Sequence, residues 1–365
     1  MRASVMLVLA VLGLAGHSHG AALRLGSVLG ESGDGGFLQA REPRPFEFPR
    51  DHGAHPEYRS EWWYLTASLQ AADGREFGVQ FTLFRQGLNA EPRMASPWDA
   101  SQIYLGHLAV TDVARSRHRQ AERLARAHPR LAGVSTAPLD AWLDGWRLAS
   151  QGPGLDGLSV TGRAADFAVR LEFDPVKPVV PQGDRGLSAK GPGQASYYYT
   201  VPRLSGGGEL QLDDQVFQVT GNAWLDREWS TSLLTEEQTG WDWFGLQLDN
   251  GEELMVFQLR RRSGMRDPYD QGVWVGRDGS SRALRTQDFS LQPRRWWRDA
   301  DGVRWPVAWE LSVMGPDGPR QLRVEAAVDD QRMDTLFTYW EGLVRVYDER
   351  GDDIGRGYME LTGYE

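Results

Sequence analysis

The sequence predicts an all-β protein whose antiparallel strands form two tandem units. The 365 residues include 15 Trp, 11 Tyr and 13 Phe beside 42 Gly and 19 Pro. Large aromatic residues with frequent turn residues are typical of short strands closed into sandwiches or barrels. Short alternating runs followed by Gly-containing turns also recur along the chain, which indicates antiparallel hairpins.

Glu76 to Arg85 shows the strand pattern most clearly. The odd-numbered residues from Phe77 to Leu83 are apolar, and the even-numbered residues from Gly78 to Phe84 are uncharged. Because successive side chains of a strand point to opposite faces, neither face of this strand is suited to open solvent. We therefore expect a core on one side and a cavity or a second layer on the other.

One strand–turn–strand pattern occurs twice. Trp62-Trp63-Tyr64 opens a strand that ends at Asp73-Gly74, and Trp241-Asp242-Trp243-Phe244 opens a strand that ends at Asn250-Gly251. The two turn glycines are 177 residues apart, since 251 minus 74 is 177. Asp-Gly and Asn-Gly predict type I′ hairpins. We interpret the repeat as a duplication, with a domain over residues 44–235 and a second over 236–365.

The boundary between these domains is expected in the polar stretch from Ser230 to Gly240. The stretch from Val176 to Gln194, rich in Pro and Gly, is interpreted as a loop within the first domain. Only the stretch from Asp112 to His128 looks helical. Its arginines fit a solvated helix or a long loop across a barrel mouth, and an anion-binding or membrane-surface patch is the alternative.

The N-terminus is typical of a secretory signal. Arg2 supplies the positive end, Val5 to Leu14 an apolar core too short to span a bilayer, and Ser18-His19-Gly20 a small-residue cleavage site. We expect residues 1–20 to be removed and residues 21–43, which lack periodicity, to form a flexible leader. The expected location is the periplasm or the exterior of the cell.

Composition excludes several classes of protein. With 40 Lys and Arg against 50 Asp and Glu, and no long run of one sign, nucleic acid is not an expected partner. The absence of Cys excludes disulfides, thiolate metal sites and a lipid-anchored signal. No Gly-rich phosphate loop, Rossmann fingerprint or nucleophile elbow occurs, so no cofactor is expected.

The first polar cluster contains His52, His55, Glu57, Arg59 and Glu61. Imidazole and carboxylate groups can share a metal ion. However, a His-x-x-His pair outside a helix does not aim both rings at one point. We therefore expect no metal and interpret the segment as a plug or rim strand in which Arg59 pairs with Glu61.

The second cluster runs from Asn222 to Ser230. Strand alternation places Trp224, Asp226 and Glu228 on one face. Carboxyl groups beside Trp rings in an apolar cavity suit acid catalysis, because desolvation raises a carboxyl pKa. Asp226 and Glu228 are therefore candidate catalytic residues, and a structural salt network with Arg227 at the domain boundary is the alternative.

A third cluster contributes aromatic and polar residues from the second domain. It contains Trp241, Trp243, Gln258, Tyr339, Trp340, Glu341, Tyr358 and Glu360. It forms either a packed core with a cross-strand ladder or the wall of a pocket whose aromatic faces could stabilise a cation. Across the clusters, the candidate ligand-binding residues are Trp62, Tyr64, Gln80, Trp224, Trp229, Trp243, Gln258 and Tyr339.

These clusters resemble the group that contains AttH and carotenoid 1,2-hydratase (hydroxyneurosporene synthase). The matching motifs are Pro56-x-x-Arg59-x-Glu61-Trp62-Trp63-Tyr64, Gly221-x-Ala223-Trp224-x-Asp226-x-Glu228-Trp229, Gly240-Trp241-x-Trp243, Tyr339-Trp340-Glu341-Gly342 and the C-terminal Gly357-Tyr358-x-Glu360-Leu361-Thr362-Gly363-Tyr364. The resemblance covers nearly all of the chain after the signal. It implies two lipocalin-like barrels packed together around an apolar pocket. It also implies a group divided among hydratases of carotenoid ends, catalysts of pericyclic cyclisations and exported members labelled predicted secreted hydrolases.

For the hydratase branch, the resemblance implies a His at the position of Arg227. It also implies an Asp, on a later strand, at the position of Gln258. Since an amide cannot protonate an alkene, our leading hypothesis is an exported protein that binds a large hydrophobic lipid or isoprenoid. One alternative is a hydratase, lyase or cyclase that uses Asp226 or Glu228 as its acid. Another is an accessory protein of an envelope export permease of the ABC type.

Overall fold

The computed structural model describes residues 35–91, 100–231 and 234–364. These residues form two antiparallel sheets, which confirms the predicted all-β fold. The predicted signal peptide and residues 21–34 of the predicted leader lie outside the described residues. No helix within the described ranges is long and apolar enough to cross a bilayer.

Thirteen strands of the first half form one sheet. Their bounds are β1 Ser60–Ala71, β2 Glu76–Gly87, β3 Gln102–Asp112, β4 Arg117–Arg126, β5 Ala132–Thr136, β6 Leu139–Leu143, β7 Trp146–Ala149, β8 Leu158–Arg163, β9 Phe167–Pro175, β10 Val180–Pro181, β11 Leu187–Gly191, β12 Gln194–Leu212 and β13 Gln215–Ser230. The order is β4-β3-β2-β1-β13-β12-β9-β8-β7-β6-β5, and β10 and β11 also pair with β12. Two short 3-10 helices, Arg50–His52 and Val113–Arg115, accompany this sheet.

The first sheet curls into a nearly closed barrel. Gly106 of β3 lies so close to β6 that an added Cβ would stand 2.6 Å from a methyl carbon of Leu143. The guanidinium of Arg123 in β4 lies 4.8 Å from the ring centroid of Trp146 in β7. The two ends of the sheet therefore meet, and odd-numbered residues of β1, such as Trp63 and Leu65, lie in the enclosed apolar core.

Ten strands of the second half form the other sheet. Their bounds are β14 Gln238–Leu248, β15 Glu253–Arg261, β16 Gln271–Val275, β17 Ser281–Arg285, β18 Phe289–Arg298, β19 Arg304–Gly315, β20 Gly318–Ala326, β21 Arg332–Met333, β22 Tyr339–Tyr347 and β23 Asp353–Leu361. The order is β17-β16-β15-β14-β23-β22-β20-β19-β18, with β21 paired to β22. A 3-10 helix, Thr286–Asp288, joins β17 to β18. Arg282 of β17 donates to the carbonyl oxygens of Met314 and Gly315 at 2.8 and 3.1 Å, so this sheet also curls toward closure.

The two barrels pack wall against wall. Odd-numbered residues of β1 fill the first barrel, whereas even-numbered residues such as Tyr64 face the second. The ring centroids of Tyr64 and Trp243 are 5.5 Å apart, and those of Trp224 and Trp243 are 6.0 Å apart. Strands at this contact are buried on both faces, as the sequence predicted for Glu76 to Arg85.

The repeated strand–turn–strand pattern forms two hairpins, β1 to β2 and β14 to β15, at the predicted turns. The predicted type I′ geometry is wrong. Gly74 and Gly251 have φ values of +86° and +85°, but Asp73 and Asn250 are not among the residues with positive φ. A type I′ turn needs positive φ at both central residues, and these are three-residue loops with a left-handed glycine at the third position.

The helical interpretation of Asp112 to His128 is wrong. After the 3-10 turn the chain continues as strand β4, which pairs with β3. Arg117, Arg119 and Arg123 follow the period of two that characterises a strand. This alternation was missed because charged residues occur at many positions of the segment. Arg119 is buried and pairs with Asp166 and Asp213 at 3.1 and 2.7 Å.

Part of the predicted flexible leader packs onto the first barrel. Phe37 and Ala40 are buried, and the Leu38 amide donates to the carbonyl oxygen of Glu57 at 2.9 Å. The guanidinium of Arg59 lies 5.3 Å from the Phe37 ring centroid. The leader prediction is therefore wrong for residues 37–40, because apolar side chains without periodicity can still bury surface.

Candidate functional site

A cavity lies between the barrels, outside the interior of each. Even-numbered residues of β1, β2, β12 and β13 line one side, and residues of β14, β15, β22 and β23 line the other. The lining residues are Trp62, Tyr64, Thr82, Phe84, Lys190, Tyr198, Asp226, Glu228, Leu234, Trp241, Trp243, Phe257, Leu259, Tyr339, Glu341 and Glu360. Each barrel has its own apolar core, and this cavity lies between the two.

The cavity is compact. Its volume is about 80 Å³, and its mouth is open to solvent. A small ring or a branched alkyl group fits this space, and the remainder of a longer ligand would extend through the mouth. With the walls in these positions, the cavity does not enclose a whole long isoprenoid.

Asp226 lies on the cavity wall where β13 pairs with β1 and β12. Its Oδ1 accepts hydrogen bonds from Thr200 Oγ1 at 2.5 Å and Trp224 Nε1 at 2.8 Å, and its Oδ2 accepts one from Tyr198 Oη at 2.6 Å. Burial raises the pKa of Asp226 to about 7, although these three donors act in the opposite direction. The group can therefore hold or release a proton near neutrality.

Glu228 lies on the same face of β13, one pleat from Asp226. Its Oε1 is 3.0 Å from Lys190 Nζ and also accepts a hydrogen bond from Ser196. This carboxylate is thus already matched by a cation. Of the two carboxyl groups proposed as catalytic, Asp226 is better placed to exchange a proton with a ligand.

Two further carboxyl groups lie opposite, on the second barrel. Glu341 of β22 and Glu360 of β23 are directly paired across the two strands, so their side chains share one face. Burial and the neighbouring Glu360 hold the pKa of Glu341 well above its usual range. Burial raises the pKa of Glu360 to about 8, and the charges of Asp226 and Glu228 act in the same direction. This pair therefore carries protons at neutral pH.

Two polar atoms of the cavity wall, Glu341 Oε1 and Tyr64 Oη, are buried without a well-aligned hydrogen bond in the described part of the chain. Their side chains are nevertheless close enough to act on each other's pKa. Tyr339 Oη bonds His107 Nδ1 at 2.8 Å, and His107 Nε2 lies 3.0 Å from Glu122 Oε2. Tyr339 is therefore anchored to the first barrel, whereas Glu341 and Tyr64 can exchange their mutual contact for one with a ligand.

Only some of the predicted ligand-binding residues line the cavity. Trp62, Tyr64, Trp243 and Tyr339 line the cavity. Trp224 does not, because it stands behind Asp226 and holds that carboxyl group.

Trp229 and Gln258 were wrongly placed in the pocket for the same physical reason. Trp229 lies on the inward face of β13, in the core of the first barrel, and stacks on His55 with ring centroids 3.8 Å apart. Phe257 and Leu259 face the cavity, so Gln258 between them points away and donates to Asp242 Oδ2 at 2.7 Å. An alternating strand brings only every second residue to one wall.

Gln80 is also absent from the cavity lining. It lies on the cavity-facing side of β2, but further along the strand than Thr82 and Phe84. Its amide donates to Thr82 Oγ1 at 2.5 Å. Gln80 therefore contacts a lining residue but does not itself line the cavity.

The first polar cluster forms a buried network inside the first barrel. Glu61 lies 2.6 Å from His55 Nδ1, 3.0 Å from Arg85 and 2.7 Å from Arg227, so its partners differ from the Arg59 that we expected. His55 Nε2 is 3.1 Å from Asp51 Oδ1. Within the described ranges, no group of three or more His, Asp or Glu side chains is placed to hold a metal ion. Arg227 points into this network and not toward the cavity, which excludes a joint salt network with Asp226 and Glu228.

Sequence reasoning missed several residues of the site. Lys190, Tyr198 and Leu234 lie in segments with no motif, and only the pairing of β11 and β12 brings the first two to the wall. Phe84 and Thr82 could have been found, since both lie on the same alternating face of the strand from Glu76 to Arg85. Glu341 and Glu360 were interpreted as either core or pocket wall, and the structure supports the pocket wall.

Comparisons with known proteins agree with this architecture. The family model described as AttH-like matches residues 39–364. A crystal structure of an AttH from Nitrosomonas europaea is 33% identical, covers 90% of this chain and 100% of its own, and superposes with a TM-score of 0.80. Kievitone hydratase from Nectria haematococca is 14% identical, covers 90% of this chain and 98% of its own with a TM-score of 0.65, and thus shares the fold.

No curated protein sequence matches the chain. The family match nevertheless extends over both barrels and includes every carboxyl group of the cavity. The resemblance inferred from the motifs is thereby confirmed. The chain belongs to the AttH-like family.

Proposed function

We propose that this protein is an enzyme that adds water to, or removes water from, a compact apolar alkene by acid–base catalysis between the barrels. The observation that carries the proposal is the pair Glu341 and Glu360, which line the cavity side by side among aromatic rings and have raised pKa values. A carboxyl group that stays protonated at neutral pH is what protonation of an alkene requires.

The proposed reaction balances without a cofactor. The Glu341–Glu360 pair gives a proton to one alkene carbon, which leaves a cation on the other carbon and a carboxylate on the protein. The rings of Trp241 and Trp243 shelter the cation. Water adds to the cation and loses a proton to Asp226 or to the carboxylate just formed. The same steps in reverse remove water from an alcohol.

A ligand carrier, the leading hypothesis from the sequence, is the second candidate. The observation that favours it is the aromatic wall formed by Trp62, Tyr64, Phe84 and Trp243. A carrier of apolar molecules gains nothing from burying four carboxyl groups, because each costs desolvation free energy. Kievitone hydratase is named for a hydration, and its likeness to this chain extends to the fold alone.

Deuterium exchange tests the enzymatic proposal without knowledge of the natural substrate. Short branched alkenes and their tertiary alcohols are incubated with the protein in deuterium oxide and analysed by mass spectrometry. We expect deuterium to enter the alkene carbon, and Glu341→Gln, Glu360→Gln and Asp226→Asn each to slow entry about 100-fold.

Glu310→Gln, on the exposed face of β19, is the matched control and should leave the rate unchanged. Absence of exchange with every alkene, or undiminished exchange in all three cavity variants, would refute catalysis. Retention of an apolar molecule in native mass spectra together with that result would favour the carrier.

Export to the periplasm or the exterior is part of the same proposal and is supported by the signal-like pattern from Arg2 to Gly20. Cell fractionation with N-terminal sequencing of the mature protein tests it. A full-length N-terminus in the cytosolic fraction would refute it.

An export permease as partner stays a prediction from the sequence, and co-purification from membranes is its test.

A further inference from the structure

The described lining of the cavity contains many more carboxyl groups than amines. One amine, that of Lys190, faces four carboxyl groups. The carboxyl groups are Asp226, Glu228, Glu341 and Glu360. The other titratable groups of the described lining are the phenols of Tyr64, Tyr198 and Tyr339. Lys190 pairs with Glu228 and its charge also acts on Glu360, so no second cation of the described lining offsets the four carboxyl groups when they ionise.

Two buried oxygen atoms of the lining indicate the kind of group that the cavity can bind. Glu341 is only 1% exposed, and neither its Oε1 nor Tyr64 Oη forms a well-aligned hydrogen bond in the described ranges. The two side chains lie close enough to act on each other's pKa, so each has the other as its polar neighbour. Both oxygen atoms can interact favourably with a positive charge, and such a charge favours the ionised form of Glu341.

The aromatic residues of the cavity already hold one ammonium group. Lys190 Nζ lies 4.5 Å from the ring centroid of Phe257 and 5.6 Å from that of Tyr198. Cations within about 6 Å of a ring centroid are attracted by the electrons of the ring face. Trp62, Trp241 and Trp243 extend the same kind of surface around the remaining space.

We infer that the cavity is a receptor for compact organic ammonium ions, whose charged head lies against Glu341 and Tyr64 and is surrounded by the aromatic rings. The inference rests on the cavity being the functional site proposed above, but not on catalysis. It names a ligand class that apolar walls alone would not select. It disfavours fatty acids and phosphorylated lipids, because an anionic head would add negative charge beside Glu228 and would further oppose ionisation of the other carboxyl groups.

Binding of a cation should be linked to proton release. Burial and mutual repulsion keep protons on Glu341 and Glu360 in the empty cavity. A fixed positive charge beside them favours the carboxylate, so one proton leaves as the cation enters. Affinity should therefore increase as pH rises toward about 8, where the raised pKa of Glu360 lies.

Three ligands of one shape test the inference on the unmodified protein. They are phenyltrimethylammonium, its neutral isostere tert-butylbenzene and the anion 2-methyl-2-phenylpropanoate. We expect calorimetry to show the cation binding about tenfold more tightly than the neutral compound, with the anion weakest. Proton release should be seen as a binding enthalpy that changes with the ionisation enthalpy of the buffer. Equal or tighter binding of the neutral compound or the anion would overturn the inference.

A variant locates the charge contact. Glu341→Gln should weaken the cation about tenfold and leave tert-butylbenzene unchanged, and Glu310→Gln should change neither. An unchanged cation affinity in folded Glu341→Gln would overturn the inference. If that variant does not fold, the ligand order of the unmodified protein decides. Cation preference without deuterium exchange would refute the proposed catalysis alone, whereas exchange without cation preference would refute this inference alone.

Discussion

Two glutamates show how neighbouring groups decide the pKa of a carboxyl group. Glu61 lies between His55, Arg85 and Arg227, and these cations hold its pKa well below the usual range despite its burial. Glu360 lines the cavity among rings and other carboxyl groups, and desolvation together with these carboxyl groups raises its pKa to about 8. Glu61 is therefore a structural anion, whereas Glu360 is a store of protons.

Glu360→Gln should change how stability depends on pH. Because the pKa of Glu360 in the folded protein lies above the unfolded value of 4.5, the folded state binds more protons. The stabilisation by this group is complete below about pH 4.5 and is lost as pH rises toward 8. Urea denaturation should show that the variant loses less stability than the parent between about pH 5 and pH 8, by roughly 3 kcal/mol. Parallel pH profiles of parent and variant would contradict this assignment.

At the scale of elements, one strand allows the barrels to approach. A Cβ added to Gly78 of β2 would lie 2.5 Å from Tyr358 Oη and 2.9 Å from Leu343 Cβ, both on the second barrel. Gly74, at the turn of the same hairpin, has open space around it but a φ of +86°. One glycine is required by packing between the barrels, and the other by backbone conformation.

Gly78→Val should therefore act differently from Gly74→Ala. The first inserts bulk between the barrels and should cost about 1–3 kcal/mol of stability while weakening ligand binding in the cavity. The second should cost about 1 kcal/mol through backbone strain and leave binding unchanged. Denaturation curves and calorimetry with phenyltrimethylammonium measure both. Equal effects of the two changes on binding would show that the approach at Gly78 does not shape the cavity.

At the scale of the whole molecule, buried polar contacts hold the barrels together. Glu253 of the second barrel is fully buried and lies 3.3 Å from Lys177 and 2.6 Å from Arg203 of the first. The Gln247 amide also donates to backbone carbonyl oxygens of the first barrel, at 2.8 and 3.0 Å. These contacts help to hold together the two barrels between which the cavity lies.

Glu253→Gln should separate the unfolding of the barrels. The change leaves Lys177 and Arg203 without their buried counter-charge, which costs about 3–5 kcal/mol. Scanning calorimetry should show one transition for the parent and a lower, broadened or split transition for the variant. Glu209→Gln removes an exposed ion pair with Arg170 and should cost less than about 1 kcal/mol. A single sharp transition at the parent temperature in Glu253→Gln would refute the coupling.

The sequence by itself determined the features that depend on local alternation. The all-β class, the two hairpins and the shared face of Trp224, Asp226 and Glu228 all follow from side chains that alternate with a period of two. The same rule would have excluded Trp229, which is one residue out of phase with Asp226 and Glu228 and lies in the core of the first barrel. The strand at residues 117–126 was missed for a related reason. Its many arginines made the alternation of buried and exposed residues difficult to recognise.

Only the tertiary structure decided which barrel faces meet. Residues 64, 226, 341 and 360 belong to four strands, and nothing local places them around one cavity. That meeting depends on the curvature of each sheet and on the docking of one barrel wall against the other. Carboxyl pKa values depend on burial and on neighbours far apart in the chain. The raised pKa of Glu360 therefore depends in part on Asp226 and Glu228, which the first barrel brings to the cavity.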